Sequence, residues 1–125
     1  MNKKSVKTET KNLAQAIAKA AKSKKAQKVV ILDMRKVAAF CDYFVIASGT
    51  SLRHVNAVAR GIEEEMEKNG VKPLSHASSN DESGWIALDF VSVIAHIFYK
   101  PIRDEYALES LWSDAKKVKA VKSSR

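Results

Sequence analysis

A chain of 125 residues with 46% apolar content has room for one folded domain with a modest core, and its formal net charge is +8. A single cysteine excludes an internal disulfide framework, and nothing reads as a secretory signal or a membrane span, which together point to the cytoplasm. The positive charge is uneven: residues 1–28 hold nine lysines against Glu9, residues 116–125 hold five basic groups and no acid, and residues 29–115 are left at −5. Basic ends around an acidic body suit either plain tail solubility or salt-sensitive contacts with a phosphate-rich neighbour. The acid-poor, Lys- and Ala-rich beginning shares part of the character of an organelle transit peptide, but no arginine precedes Arg35.

Residues 1–9 read as a basic disordered segment, 10–115 as the folded domain and 116–125 as a basic tail. From about Thr10 to Ser23, Leu13, Ile17 and Ala20/Ala21 recur at helical spacing with lysines on the other side. Val29-Val30-Ile31-Leu32 is too short for a helix and β-branched enough for a buried strand, and Tyr43 to Ala47 is the second such run. Continuous apolar runs, as opposed to alternating ones, imply cover on both faces.

The turn Ser48-Gly49-Thr50-Ser51 joins that second strand to a helix. Gly49 can take the positive φ of a sharp turn, and Thr50 or Ser51 can cap the first free amides. Leu52, Val55, Val58/Ala59, Ile62 and Met66 form one stripe of a helix over about 51–69, which Gly70 stops. Its charges oppose its dipole, with Arg53 and His54 at the positive end and Glu63, Glu64, Glu65 and Glu67 near the negative one. Pairs at i,i+4 account for the glutamates but not for Arg53 and His54. Ser51, Arg53 and His54 therefore mark a place for an anion or a partner.

Val71 to His76 is predicted as a short strand, which Pro73 confines to a sheet edge, and Ser78 to Ser83 as a polar loop. Trp85–Asp89 and Ser92–Phe98 then form a hairpin. A last helix runs from about Asp104 to Ala115, with Leu108, Leu111, Trp112 and Ala115 facing inward. The order α-β-β-α-β-β-β-α is that of an α/β single domain, a mixed β-sheet with helices packed on it.

A two-residue turn at Phe90-Val91 pairs Asp89 with Ser92 and Trp85 with His96. Strand alternation then puts Ile86, Leu88, Val93, Ala95 and Ile97 on one face, all apolar. The other carries Trp85, Ala87, Asp89, Ser92, Ile94, His96 and Phe98. Two readings of this second face stay open: a protein-docking surface, or a face covered by the last helix with Trp85 simply buried. Phe90-Val91 lacks the Gly, Asn or Asp that a tight hairpin turn prefers, so the register can slip.

Enzymatic chemistry finds little footing. A Gly-Thr-Ser turn before a helix suits a nucleotidyl transferase, yet that reaction needs paired carboxylates for two metal ions. Asp33, Asp42 and Asp89 are each isolated in sequence. There is no P-loop and no paired-glycine dinucleotide motif. His54, His76 and His96 lie on separate elements without HExxH or a cysteine pair, so no zinc site or other cofactor is expected. Cys41, beside Phe40, reads as core packing.

Three ordered blocks carry a resemblance to a known family. They are Asp42-Tyr43-Phe44-Val45-Ile46-Ala47-Ser48-Gly49-Thr50-Ser51 with Arg53-His54-Val55; Trp85, Leu88-Asp89-Phe90 and His96-Ile97-Phe98; and Tyr106, Leu108-Glu109, Leu111-Trp112 and Asp114-Ala115. Over about residues 10–115 the chain closely resembles the ribosomal silencing factor S family, also called Iojap-like. The resemblance implies a non-enzymatic factor whose fold looks like a nucleotidyl transferase core without its catalytic acids. It implies binding to the large ribosomal subunit through large-subunit protein fourteen, a block on joining of the small subunit, repression of translation, and a homodimer when free. Weak rRNA contacts would fall to the basic termini. By matching position, the implied contact residues are Trp85, Asp89, His96, Phe98, Tyr106, Leu108 and Trp112. Two alternatives remain, a nucleotidyl transferase using Ser51 and Asp89, and a ribosome assembly factor of the same family. The chain departs from the family pattern at Val91-Ser92, where Gly-Asp is common, and at Glu82-Ser83-Gly84, where members place Glu-Gly farther upstream.

Overall fold

The structure, a computed structural model, describes residues 3–74 and 82–118. Its elements in chain order are α1 (Lys3–Ser23), β1 (Gln27–Asp33), β2 (Tyr43–Gly49), α2 (Leu52–Lys68), β3 (Trp85–Asp89), β4 (Val93–Tyr99), α3 (Lys100–Tyr106), α4 (Leu108–Leu111) and β5 (Lys116–Val118). The five strands form one sheet in the order β3-β4-β2-β1-β5. β2 and β4 at its centre are parallel, and the other pairs are antiparallel.

β2 is buried along its whole length, as its unbroken apolar run requires. Alternation sends Tyr43, Val45 and Ala47 to one layer of core and Phe44 and Ile46 to the other. In the first layer they meet Ala14, Ile17, Ala18 and Ala21 of α1 and Val55, Val58, Ala59, Ile62 and Met66 of α2. Each large side chain so buried contributes about 1.5–3 kcal/mol. The second layer lies between the sheet and the segment 100–115, whose Ile102, Leu108, Trp112 and Ala115 pack on Phe44, Ile46 and Phe98. The two faces of the sheet thus hold two separate cores.

Several expectations are corrected. α1 begins at Lys3 within the segment read as disordered, and β5 pairs with β1 inside the segment read as a tail. No strand forms over Val71–Leu74, where the Leu74 amide donates to the Asp89 carbonyl; His76 lies outside the described residues. Gly49 has no positive φ. Glycine is needed there because a Cβ would stand 2.8 Å from both the backbone nitrogen and Cγ2 of Val55. The hairpin pairs Asp89 with Ile94, Leu88 with Ala95 and Trp85 with Phe98, two residues away from the expected register. A slip of two preserves the faces, whereas a slip of one would have inverted them. Ile86, Leu88, Val93, Ala95 and Ile97 are accordingly all core.

The turn residues are therefore Val91 and Ser92. The Ser92 amide donates to the Phe90 carbonyl at 3.0 Å, and Val91 has φ +76°, a γ-turn of the rarer, strained sign. The Asp89 carboxylate holds it by accepting from the Val91 amide at 2.7 Å. The last helix is also interrupted. Ala107 is left-handed (φ 48°), which ends α3 and rotates α4 relative to it, so that Leu111, expected inward, is 72% exposed.

Candidate functional site

The outward side of β3 and β4 meets β2 and the α3–α4 segment in a continuous aromatic cluster. At its base Phe44 of β2 lies edge-on to the His96 ring, with centroids 4.5 Å apart. Trp85 stacks on Phe98 at 5.1 Å, and Tyr106 closes over Trp85 at 4.9 Å. On the other side Trp112 meets Phe44 edge-on at 6.1 Å, and Phe40 lies at the same distance from both. The chain of rings therefore runs Phe40, Trp112, Phe44, His96, Phe98, Trp85, Tyr106.

Depth sorts these rings. Phe98, Phe44 and His96 are buried, Trp85 and Trp112 are half-buried, and Phe40 and Tyr106 are exposed at 57% and 56%. Of the residues expected to make contacts, Trp85, Tyr106, Leu108 and Trp112 share one surface. His96 and Phe98 do not reach it; both lie beneath, because the α3–α4 segment and Trp85 cover them. Asp89 is half-buried, and its carboxylate is engaged in the hairpin turn. Neither open reading of this face holds alone, since the last segment covers part of it and leaves an aromatic rim outside.

Trp85 is oriented by a hydrogen bond from its Nε1 to Nδ1 of His96, 3.1 Å long. An accepting Nδ1 makes the imidazole neutral, with its proton on Nε2. Burial pushes the His96 pKa down to about 4, in agreement.

The start of α2 has a different explanation from the one expected. Ser51 is its N-cap, accepting from the His54 amide at 3.0 Å. His54 Nδ1 accepts from the Thr50 amide at 2.9 Å, and Nε2 donates to the Lys24 carbonyl at 2.8 Å. His54 thus ties the α2 start to the α1–β1 turn, a local reason the sequence did not show. Arg53 is exposed, and Ser51 and His54 are occupied by these contacts.

Sequence reasoning missed Phe40, Phe44 and Arg103. Phe44 was legible by alternation along β2, as the ring facing away from the α1–α2 layer. Arg103 is buried at 6% exposure. Its Nε and Nη2 grip both oxygens of Glu109 at 2.9 Å, while Nη1 donates to the Lys28 carbonyl (2.7 Å) and Ser48 Oγ (2.8 Å). The break at Ala107 brings Glu109 round to it, and no helical spacing signals that pair.

Cys41 is buried in the second core, and burial raises its thiol pKa to about 11, against a role as nucleophile. Among the described residues no group of three His, Cys, Asp or Glu side chains is placed to hold a metal ion. No described helix is long and apolar enough to cross a membrane.

Residues 7–125 match the family model described as "Ribosomal silencing factor during starvation". The chain belongs to the ribosomal silencing factor (RsfS) family. It is 35% identical over 105 residues to ribosomal silencing factor RsfS of Bacillus subtilis, covering 84% of this chain and 88% of that one. It is 30% identical over 90 residues to mouse "Mitochondrial assembly of ribosomal large subunit protein 1", covering 70% of this chain and 40% of that longer one. A crystal structure of a Chromobacterium violaceum protein superposes with a TM-score of 0.78 over 92% of this chain and 95% of that one. At 23% identity this last likeness is one of fold. The α/β sheet expected from the sequence, and the resemblance it carried, are both borne out.

Proposed function

We propose that this RsfS-family chain docks its aromatic rim on the large ribosomal subunit, at large-subunit protein fourteen, and so blocks joining of the small subunit. The observation that carries the reading is the surface of Phe40, Trp85, Tyr106 and Trp112 with Leu108, exposed and half-buried side chains set on a buried aromatic base. Rigid, partly desolvated Trp and Tyr side chains are the residues that dominate protein interfaces. Steric occupancy of the joining face represses translation with neither catalysis nor a cofactor, in the cytoplasm. When free, the protein forms a homodimer.

The test is co-sedimentation with purified large subunits, and small subunits are then added. Wild-type protein pellets with the large subunit and lowers the yield of joined particles. Joining that is unaffected at saturating protein sinks the proposal. The name of the mouse relative favours a second reading, assembly of the large subunit. Depletion that leaves immature large-subunit particles, with no change in joining of mature ones, would select it.

A further inference from the structure

Beside the aromatic rim, on the same face of the sheet, lies a half-open cavity of about 410 Å³ lined by Lys28, Val30, Ser48, Lys100, Arg103, Asp104, Glu109 and Lys117. Three elements deliver its lysines: Lys28 from β1, Lys100 from the start of α3 and Lys117 from β5. The β1 residue is placed by a bulge. Gln27 pairs with Ser48 and Val30 with Ile46, so Lys28 and Val29 together oppose Ala47, and Lys28 takes a left-handed φ of 49°.

The floor is built from buried polar groups. Ser48 and Arg103 are 1% and 6% exposed, and Arg103 is locked by Glu109, Ser48 and the Lys28 carbonyl. That locking cancels the charges of Arg103 and Glu109 and leaves one Nη2 hydrogen and the Ser48 hydroxyl hydrogen as donors. None of Lys28, Lys100 and Lys117 forms an ion pair among the described residues, and Asp104 is the one carboxylate opposing them.

We infer that this cavity is a binding site for a backbone phosphate of RNA. Converging N–H and O–H donors with a surplus of ammonium groups form a receptor for an anion of more than one charge. The phosphate site stands on this geometry; the choice of RNA rests on the ribosomal role proposed above.

The experiment measures fluorescence anisotropy of a short labelled single-stranded RNA across a salt series. Wild type is compared with Lys28→Ala/Lys100→Ala/Lys117→Ala and with Lys11→Ala/Lys19→Ala/Lys22→Ala, which removes equal charge from the exposed side of α1. All six lysines are solvent-facing, and thermal melts confirm that each variant folds. The cavity variant should bind about tenfold or more weaker, and its log K against log salt slope should flatten by roughly 0.7, the value for one lost phosphate contact. The α1 variant should keep most of its affinity. Equal losses in both variants would reduce the effect to net charge and overturn the site. Unchanged RNA binding in the cavity variant, with ATP or inorganic phosphate raising the wild-type melting temperature alone, would assign the cavity to a small phosphate and overturn the choice of RNA. Large-subunit docking fails separately, through Tyr106→Ala, which leaves RNA affinity intact.

Discussion

Trp85 Nε1 donates to Nδ1 of His96, and the opposite nitrogen of that buried ring has no partner among the described residues. The indole at the rim is therefore positioned by a group that works only while neutral. A proton on Nδ1 would set two donors against each other and place a charge between Phe44 and Phe98.

Acid should loosen the domain through this ring. Its pKa in the fold is about 4 against an ordinary 6.5, so the unfolded chain takes up the proton first as pH falls. The stability is fully present above 6.5, declines between 6.5 and 4, and is gone below. Over that window the loss is on the order of 3 kcal/mol, from about 1.4 kcal/mol per pKa unit. Thermal melts across pH should show it, with a matching change in tryptophan fluorescence. His96→Gln keeps an acceptor for Trp85 and should flatten this part of the profile.

Trp85 and Tyr106 should separate stability from docking. Trp85→Ala removes a half-buried ring stacked on Phe98 and leaves a cavity, costing about 2–4 kcal/mol as well as large-subunit binding. Tyr106→Ala truncates an exposed ring, so the melting temperature should barely move while affinity for the large subunit falls about tenfold or more. Sedimentation binding beside a thermal melt checks both.

Val91 is a β-branched residue held at φ +76° on an exposed turn, where it has little packing to lose. Val91→Gly should stabilise the domain by about 1 kcal/mol in denaturant melts, through relief of that strain. Asp89→Ala, which removes the acceptor for the Val91 amide, should act in the opposite direction.

Arg103→Met should cost about 3–5 kcal/mol, because it strands Glu109 beside a polar floor built around the guanidinium. Arg103→Lys should recover little of this, since an ammonium cannot grip both Glu109 oxygens and still reach Ser48 and the Lys28 carbonyl. Urea unfolding of the two variants gives the comparison.

Patterns that repeat within one element were legible in the residues alone. The α2 stripe, its Ser51 cap, the buried run of β2 and the inner face of the hairpin all arise from periodicities of about 3.6 and 2, which local chain geometry imposes. Those periods also explain why a register error of two residues left every face correct. The relations between elements came from the fold: His54 reaching the Lys24 carbonyl, Phe44 rising beneath His96, and Arg103 turning back to Glu109 past a left-handed Ala107. Such contacts depend on where whole helices and strands come to rest against one another, and no spacing along a single element encodes that.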